Sequence, residues 1–330
     1  MGGNTFYQPR LPRDAYLTTE THVRQVLPGL FGTQWRIPAY HADKADFGDL
    51  DVMIASSALT TERLQAFGTA VGATDYRRHN VGHSFLTPVP GDPHGRLLQV
   101  DLFGTPDDLL HTRATFMGWG DFGNILGRLL KPLGLRWGEV GLEYVHRVPG
   151  DDHWKRLHLV SRDIDTALHV AGLDPATYHA GFASERAMHD YLRASPLFSG
   201  YPFLNPGSRL NRKTITRPGM TRFITYLRDL GTPEGEHAPT WSAEQTDAAL
   251  PGYGILAFAQ AASAEHARLA RLKQHVNGHL VMTLTGRTGR DLGNLMRALK
   301  PDTERLADLY ERGQTAEADA IILTAHRTLP

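Results

Sequence analysis

The sequence contains no cysteine, and this absence excludes several kinds of chemistry. Disulfide bonds, thiolate metal sites and cysteine nucleophiles all require a residue that the chain lacks. Long apolar runs are missing as well. No stretch approaches the ~18 apolar residues of a membrane-spanning helix, and the first residues hold no apolar core of a signal peptide. We therefore expect a protein of a reducing compartment, the cytoplasm, without contact to a membrane.

An excess of charge of either sign is also lacking. The 35 Lys and Arg residues balance 35 Asp and Glu residues, so any nucleic-acid partner must be bound by local basic patches rather than by bulk charge. The sequence contains neither a Gly-x-Ser-x-Gly elbow nor a Walker A loop, which leaves a serine hydrolase and a P-loop enzyme without support. With 330 residues, 41% of them hydrophobic, the chain is typical of a soluble protein with two or three domains.

The first half of the chain mixes strand and helix signals, whereas the second half is helical. Runs rich in apolar and β-branched residues predict strands, and apolar residues at helical spacing predict helices. Strands are predicted at 35–40, 50–56, 81–89, 97–103, 137–144 and 156–160. Helices are predicted at 60–71, 122–133 and 161–171, and beyond about residue 176 at 184–194, 220–230, 241–249, 255–275, 289–299 and 302–324. For residues 1–30 we expect a loop and a short helix.

Two carboxylates stand at the start of the apolar strand predicted for 50–56. Asp49 and Asp51 follow Gly48, whose missing side chain lets the backbone approach a ligand. Because strand side chains alternate between faces, the two acids point the same way. Like charges on one face repel each other and are expected where a cation compensates them. Asp101 lies on the strand predicted for 97–103 and joins the same face if the two strands pair.

Three carboxylates at one place predict a site for two divalent ions, Mg²⁺ or Mn²⁺. In such a site one ion lowers the pKa of an attacking 3′-hydroxyl, and the other stabilises the leaving pyrophosphate. Asp101 would contact only the first ion and is the best candidate to accept the proton. The alternative is that Asp49 and Asp51 form an ordinary surface pair at a strand end. The preceding glycine, the apolar strand, and the third acid about 50 residues later on a second strand argue against it.

The same residues carry a family resemblance. Residues 47–54 (FGDLDVMI) followed by 99–103 (QVDLF) resemble the palm of the DNA polymerase β superfamily, especially that of family X DNA polymerases. Residues 116–124 and 134–142 resemble the nucleotide-selecting segment of family X, and 161–173 resemble the segment that follows it. The resemblance implies an α+β fold: a nucleotidyltransferase palm with a mixed sheet, then a small α/β segment and an all-helical C-terminal domain.

The resemblance also implies domain boundaries and nucleotide contacts. It divides the chain into an N-terminal extension (1–30), a palm (31–106), a nucleotide-selecting segment (107–175) and a helical nucleic-acid-binding domain (176–330). The implied nucleotide-binding residues are Lys44, Gly48, Gly118, Trp119, Asp121 and Asn124.

Some positions depart from the family pattern. Pro38 and Ala39 stand where the family has the Gly-Ser pair that grips the triphosphate, and His41 and Ala42 stand where it has an arginine pair. Lys44 can supply the missing charge, and a solvent-facing lysine is the alternative.

Two stretches of the second half are locally basic. The stretch 209–228 contains no acid, and its cations next to Phe223 and Tyr226 suit a phosphate backbone with stacked bases. In residues 286–293 a Gly-x-x-Gly opens a helix, as at phosphate sites, with a faint likeness to CCA-adding tRNA nucleotidyltransferases. The alternatives are a solvated amphipathic helix with core aromatics and a tight turn with close helix packing. The predicted nucleic-acid contacts are Arg209, Arg212, Lys213, Arg217, Arg222, Arg287 and Arg290.

These features together predict an enzyme. We expect transfer of a nucleoside monophosphate from an NTP or dNTP to the 3′-hydroxyl of a nucleic acid, a DNA end or a tRNA or other RNA end, with release of pyrophosphate. Transfer to a protein or a small molecule is one alternative. A non-catalytic nucleic-acid-binding module is another, and it would predict the loss of at least one of the three acids.

Overall fold

The structure, a computed structural model, describes residues 5–80, 82–205 and 217–329. The chain divides into two compact units. The first runs to Val145 and also contains Leu157–Ile255, and the second comprises His146–Arg156 and the chain from Leu256 onward. Within the described ranges, no helix combines the length and the apolar character needed to cross a membrane.

A mixed five-stranded sheet forms the centre of the first unit. Its strand order is β2-β4-β7-β6-β5, in which β4 and β7 run parallel and the other neighbouring pairs are antiparallel. A short pair, β1 with β3, lies beside the entry to β4. The strands are β1 (Leu11–Pro12), β2 (Trp35–Arg36), β3 (Asp46–Phe47), β4 (Asp49–Ala55), β5 (Asp75–His79), β6 (Gly82–Pro88) and β7 (Leu97–Thr105). The predicted mixed sheet is therefore confirmed, while Val81, where one predicted strand began, lies outside the described residues.

Two helices cover the apolar face of this sheet: α1 (Arg13–Phe31) and α2 (Thr61–Ala70). Alternation along β4 turns Leu50, Val52 and Ile54 into the core and leaves the acids on the opposite face. The expectation of only a short helix within residues 1–30 is wrong, because α1 has 19 residues. Its buried positions recur at helical spacing and anchor it on the sheet.

The segment after the sheet contains two short helices and a three-stranded sheet. The helices are α3 (Leu110–Met117) and α4 (Phe122–Leu129), and the strands, in the order β10-β9-β8, are β8 (Leu135–Gly138), β9 (Gly141–Val148) and β10 (Asp151–Ser161). The helix predicted for 122–133 ends earlier, and a 3₁₀ turn leads to Gly134 in the left-handed region. The strand predicted for 137–144 is broken by a tight turn before Gly141, whose φ is 120°.

The remaining described secondary-structure elements are helices, as predicted. The helix predicted for 161–171 begins later, after Asp163, whose side chain accepts a hydrogen bond from the Asp165 amide. The predicted helix 302–324 is two helices, because Gly313 adopts a positive φ of 73° and ends the first. The helices are α5 (Ile164–Val170), α6 (Pro175–Ala180), α7 (Glu185–Arg193), α8 (Tyr201–Leu204), α9 (Pro218–Asp229), α10 (Ala243–Ala249), α11 (Ile255–His275), α12 (Gly278–Thr285), α13 (Gly289–Ala298), α14 (Thr303–Glu311) and α15 (Thr315–Thr328).

Candidate metal centre

The three predicted acids meet on one face of the five-stranded sheet. The parallel register of β4 and β7 places Asp51 directly opposite Asp101 and Asp49 opposite Gln99. Carboxylate oxygens of Asp49, Asp51 and Asp101 all lie within 4.8 Å of one another. The expectation that the two strands pair and bring the acids together is confirmed.

The electrostatics of this cluster are unfavourable without a counterion. Asp51 Oδ1 is buried and has no hydrogen-bond partner. Burial, and then the charges of Asp49 and Asp101, raise the pKa of Asp51 to about 7. Burial and the Asp101 charge also raise the pKa of Asp49. Hard divalent cations prefer carboxylate oxygens, and a cation would both neutralise the repulsion and coordinate the unpartnered oxygen. The residues present therefore fit a divalent metal ion.

Asp101 differs from the other two acids because the protein itself holds its carboxylate. Ser84 Oγ donates to Asp101 Oδ1 at 2.5 Å, and Gln99 Nε2 donates to Oδ1 at 3.0 Å and to Oδ2 at 2.9 Å. These donors favour the ionised acid, although burial is the larger effect and raises the pKa of Asp101. Neither Ser84 nor Gln99 was predicted from the sequence to belong to the site. Gln99 had a detectable signal, since it stands two residues before Asp101 on the same strand face.

Lys44 lies at the edge of the acid cluster on an aromatic surface. Its Nζ is 4.2 Å from the centre of the Phe47 ring, which stacks on Tyr16 at 3.7 Å. Burial lowers the pKa of Lys44, and the charges of Asp49 and Asp51 act in the opposite direction. The side chain is half-buried, and its role in nucleotide binding stays a prediction.

Gly48 lies between β3 and β4, close to the side chain of Arg10. A Cβ added there would stand 3.0 Å from Arg10 Nη1. Arg10 in turn forms an ion pair with Asp46. The guanidinium therefore lies over the backbone just before the first acid, and a side chain at position 48 would have to displace it slightly.

Gly118 and Trp119, two of the predicted nucleotide-binding residues, lie in a turn that contacts Ala39. The Trp119 amide donates to the Ala39 carbonyl at 2.7 Å, and Trp119 has a positive φ of 56°. Its ring packs edge-on against Phe182, with centroids 5.1 Å apart, and lies 5.8 Å from the His41 ring. At this position the turn therefore carries an aromatic contact.

Asp121 and Asn124 lie together, and their side chains are engaged with the protein. Asp121 Oδ1 accepts from Asn124 Nδ2 at 2.9 Å and from Arg217 Nη1 at 3.0 Å, and Oδ2 accepts from the Met220 amide at 3.0 Å. The carboxylate thus caps the start of α9, where Gly219 leaves the space that it occupies. Nucleotide-binding roles for this pair stay predictions.

Most of the predicted nucleic-acid-binding residues that the structure describes form contacts with other residues of the chain. Arg217 pairs with Asp121, and Arg222 pairs with Glu185 at 2.6 Å. Phe223 and Tyr226 are buried, so the structure favours the alternative in which these aromatics belong to the core. Arg209, Arg212 and Lys213 lie outside the described residues.

In the second unit, Arg287 donates to the carbonyls of His326 and Leu329. Arg290 is exposed in the first turn of α13. The two arginines of the predicted phosphate turn thus differ, since one contacts its own chain and the other faces solvent.

Comparisons with known proteins give limited similarity. No protein-family model matches the chain, and no curated protein matches it. Two crystal structures of polymerase β from Leishmania infantum are similar to parts of it. A ternary gap complex matches at 16% identity over 43% of this chain and 53% of that chain, with a TM-score of 0.33. A ternary P/T complex matches at 15% identity over 50% and 74%, with a TM-score of 0.37. The chain thus spans about half the length of the first of these polymerases.

Proposed function

We propose that the protein is a metal-dependent nucleotidyltransferase, which transfers a nucleoside monophosphate from an NTP or dNTP to a hydroxyl group and releases pyrophosphate. The observation that carries this proposal is the acid cluster: oxygens of Asp49, Asp51 and Asp101 lie within 4.8 Å of one another, and Asp51 Oδ1 is buried without a partner. The resemblance of the two acid-bearing strands to a polymerase β palm predicts the same chemistry.

The proposed roles follow from where each side chain lies. Asp49, Asp51 and Asp101 would hold the ions, Mg²⁺ or Mn²⁺, which as Lewis acids lower the pKa of the attacking hydroxyl and offset the charge of the leaving pyrophosphate. Asp101, fixed by its donors, accepts the proton of that hydroxyl. Lys44 binds phosphate oxygens beside Asp49 and Asp51, and its aromatic surroundings limit the access of water.

The acceptor we propose is the 3′ end of a nucleic acid, DNA or RNA. Exposed Arg290 and the acid-free stretch 209–228 support it. Transfer to a protein or a small molecule is the second candidate, and a specific observation favours it: Arg217, Arg222 and Arg287 all contact groups of their own chain. A non-catalytic nucleic-acid-binding module has the least support, because all three acids are present.

The experiment that tests the proposal is a nucleotide-transfer assay. The protein is incubated with Mg²⁺ or Mn²⁺, with each labelled NTP and dNTP in turn, and with a DNA primer, an RNA primer, a tRNA or no acceptor. Asp49→Asn is the matched inactive control. We expect pyrophosphate release with label on a nucleic-acid 3′ end.

The other outcomes separate the candidates. Label on the protein itself, or on a small-molecule acceptor, would establish the second candidate. Absence of pyrophosphate with every nucleotide, from a protein that is folded and binds Mn²⁺, would refute nucleotidyl transfer.

A further inference from the structure

One row of side chains crosses three strands of the sheet. Asp51 on β4 is the register partner of Asp101 on β7, which is the register partner of Ser84 on β6. Paired residues project from the same face of a sheet, so the row continues the acid cluster toward the sheet edge. Ser84 is fully buried, and a buried hydroxyl needs hydrogen-bond partners.

The single proton of the Ser84 hydroxyl has an evident acceptor. Asp101 Oδ1 lies 2.5 Å from Ser84 Oγ, whereas Thr5 Oγ1 lies 3.4 Å away. A short bond to a carboxylate is much stronger than a long one to a hydroxyl, so the proton points to Asp101. The oxygen of Ser84 is then free to accept.

His79 supplies the matching donor. Its Nε2 lies 3.1 Å from Ser84 Oγ, and because the hydroxyl proton is committed to Asp101, the imidazole must donate from Nε2. The ring itself is half-buried and packs edge-on against Phe103, with centroids 6.3 Å apart. A directed chain therefore runs from His79 through Ser84 to Asp101.

Gln99 holds the carboxylate from within its own strand. Its amide nitrogen donates to both oxygens of Asp101. Its carbonyl accepts from the Phe6 amide at 3.3 Å, which fixes the orientation of the amide group. Donors on two sides thus define the plane of the Asp101 carboxylate, in contrast to Asp51, whose Oδ1 has no partner.

We propose that His79 is a positioning residue of the acid cluster: it orients the Ser84 hydroxyl, which with Gln99 fixes the Asp101 carboxylate for cation binding and for the attacking hydroxyl. This inference rests on the proposed function for its catalytic part, and its cation-binding part stands independently. Groups that orient metal ligands typically change metal affinity or activity by 10–100-fold when they are removed.

The test uses four variants of the full chain: His79→Ala, His79→Gln, Ser84→Ala and His83→Ala. Glutamine retains a nitrogen donor in place of Nε2. His83 is the matched control, because it neighbours Ser84 on the same strand, points to the opposite face and bonds the Tyr76 hydroxyl instead. The readouts are Mn²⁺ affinity of the nucleotide-free protein by electron paramagnetic resonance, kcat and KM for nucleotide, and the melting temperature.

We expect His79→Ala and Ser84→Ala each to weaken Mn²⁺ binding and lower kcat roughly tenfold, with KM for nucleotide within about twofold of wild type. His79→Gln should restore most of both losses, and His83→Ala should resemble wild type. Wild-type Mn²⁺ affinity and kcat in His79→Ala would overturn the proposal. So would a His79→Gln variant as impaired as His79→Ala, since that would indicate a role for imidazole bulk or charge instead of donation.

The outcomes keep the two proposals apart. If the wild-type protein binds Mn²⁺ but transfers no nucleotide, the proposed function fails, and the Mn²⁺ affinities of the variants alone decide the role of His79. If the wild-type protein binds no Mn²⁺ at all, both proposals are overturned.

Discussion

Asp51 and Asp101 lie directly opposite each other on parallel strands, yet their carboxylates differ in hydrogen bonding. Asp101 receives hydrogen bonds from Ser84 and Gln99, while Asp51 Oδ1 is buried without a partner. The pair is therefore asymmetric: the protein holds the Asp101 carboxylate in place, whereas Asp51 Oδ1 has no partner and can take a cation. This asymmetry makes the metal dependence of stability testable at Asp51.

The stability of the metal-free protein should depend on pH through Asp51. Its pKa is raised from 3.8 to about 7 in the folded protein, so the folded state binds the proton more tightly than the unfolded state. The stabilising contribution of Asp51 is then fully present below about pH 4, and it is lost as pH rises to about 7. Asp51→Asn, which cannot ionise, should raise the melting temperature at pH 8 and give little gain at pH 4.

The size of this effect is measurable by thermal unfolding in a chelator. Each unit of pKa displacement corresponds to about 1.4 kcal/mol, and each kcal/mol moves the melting temperature of a domain of about 150–250 residues by ~2–4 °C. Added Mg²⁺ or Mn²⁺ should stabilise wild type by mass action and Asp51→Asn much less. An equal response of both proteins to metal would show that the ion binds elsewhere.

Asp49→Asn should abolish turnover without unfolding the protein. The substitution removes one of three mutually repelling charges, which relieves repulsion in the apo state, but it also removes a metal ligand. We expect loss of nucleotide transfer by at least ~100-fold, with a melting temperature in chelator equal to or above that of wild type. Asp75→Asn, on the exposed edge strand β5, is a control that should retain activity. Activity of the wild-type enzyme in excess chelator would contradict the metal mechanism.

The sequence allowed the acid cluster to be predicted because its signals are local. Asp49 and Asp51 share a face through the period of two along a strand, and an apolar strand marked Asp101. The parallel register that sets Asp51 opposite Asp101 is a tertiary property, so pairing remained a condition. Ser84 carries no local signal at all, since a serine in a strand becomes informative only when the antiparallel register of β6 and β7 places it beside Asp101.

Errors in the helices also have local causes. Pro28 lies inside α1, where an internal proline normally indicates the end of a helix, yet α1 continues to Phe31. In the second unit, the apolar spacing of the chain continues across Gly313, but that glycine adopts a positive φ and separates α14 from α15. The periodicity of apolar residues therefore predicts that a segment is helical better than it predicts where one helix ends and the next begins.

The buried histidine His189 should make the protein sensitive to acid. Burial lowers the pKa of His189 from 6.5 to about 4, and its Nε2 has no hydrogen-bond partner. The unfolded state therefore takes up a proton that the folded state resists, and stability falls as pH drops from about 6.5 toward 4.

Replacement by an aromatic of similar size removes this titration. The His189 ring packs against Phe223 and Tyr226, with centroids 4.9 Å and 5.1 Å apart, so His189→Phe should fit the site. Between pH 7 and pH 4.5, we expect the melting temperature of the variant to fall less than that of the wild-type protein. Exposed His94→Ala should leave the acid dependence unchanged. If His189→Phe has the wild-type acid dependence, another group controls it.

Asp121 should prove important for stability. Removing its carboxylate in Asp121→Ala leaves the Met220 amide at the start of α9 and the Arg217 guanidinium without their acceptor. An unsatisfied buried group costs about 1–3 kcal/mol, so we expect a clearly lower melting temperature. Asp229→Ala, at the other end of α9, serves as a control.

The same variant distinguishes the two possible roles of Asp121, capping of α9 and nucleotide binding. If its role is to cap α9, KM for nucleotide should stay near the wild-type value at a temperature where the variant is folded. A large rise in KM without loss of stability would instead establish the nucleotide-binding role predicted from the sequence.

The final prediction concerns the acceptor. Each cation that neutralises a phosphate releases condensed counterions, so binding to a nucleic acid weakens steeply with salt. Arg290 is exposed, whereas Arg287 donates to the carbonyls of His326 and Leu329. Arg290→Ala should therefore lower the slope of log affinity against log salt by ~0.7–0.9 without changing stability.

Arg287→Ala is the matched comparison, and it should lower the melting temperature while leaving the slope unchanged. The double variant Arg212→Ala/Lys213→Ala should lower the slope by about one to two units if the stretch 209–228 follows a phosphate backbone. Fluorescence anisotropy with a labelled DNA or RNA primer between about 50 and 200 mM salt measures all three. Slopes equal to wild type in Arg290→Ala and in the double variant would mean that these cations are only solvated surface. Nucleotidyl transfer to a protein or a small molecule would then replace the nucleic-acid end as the proposed reaction.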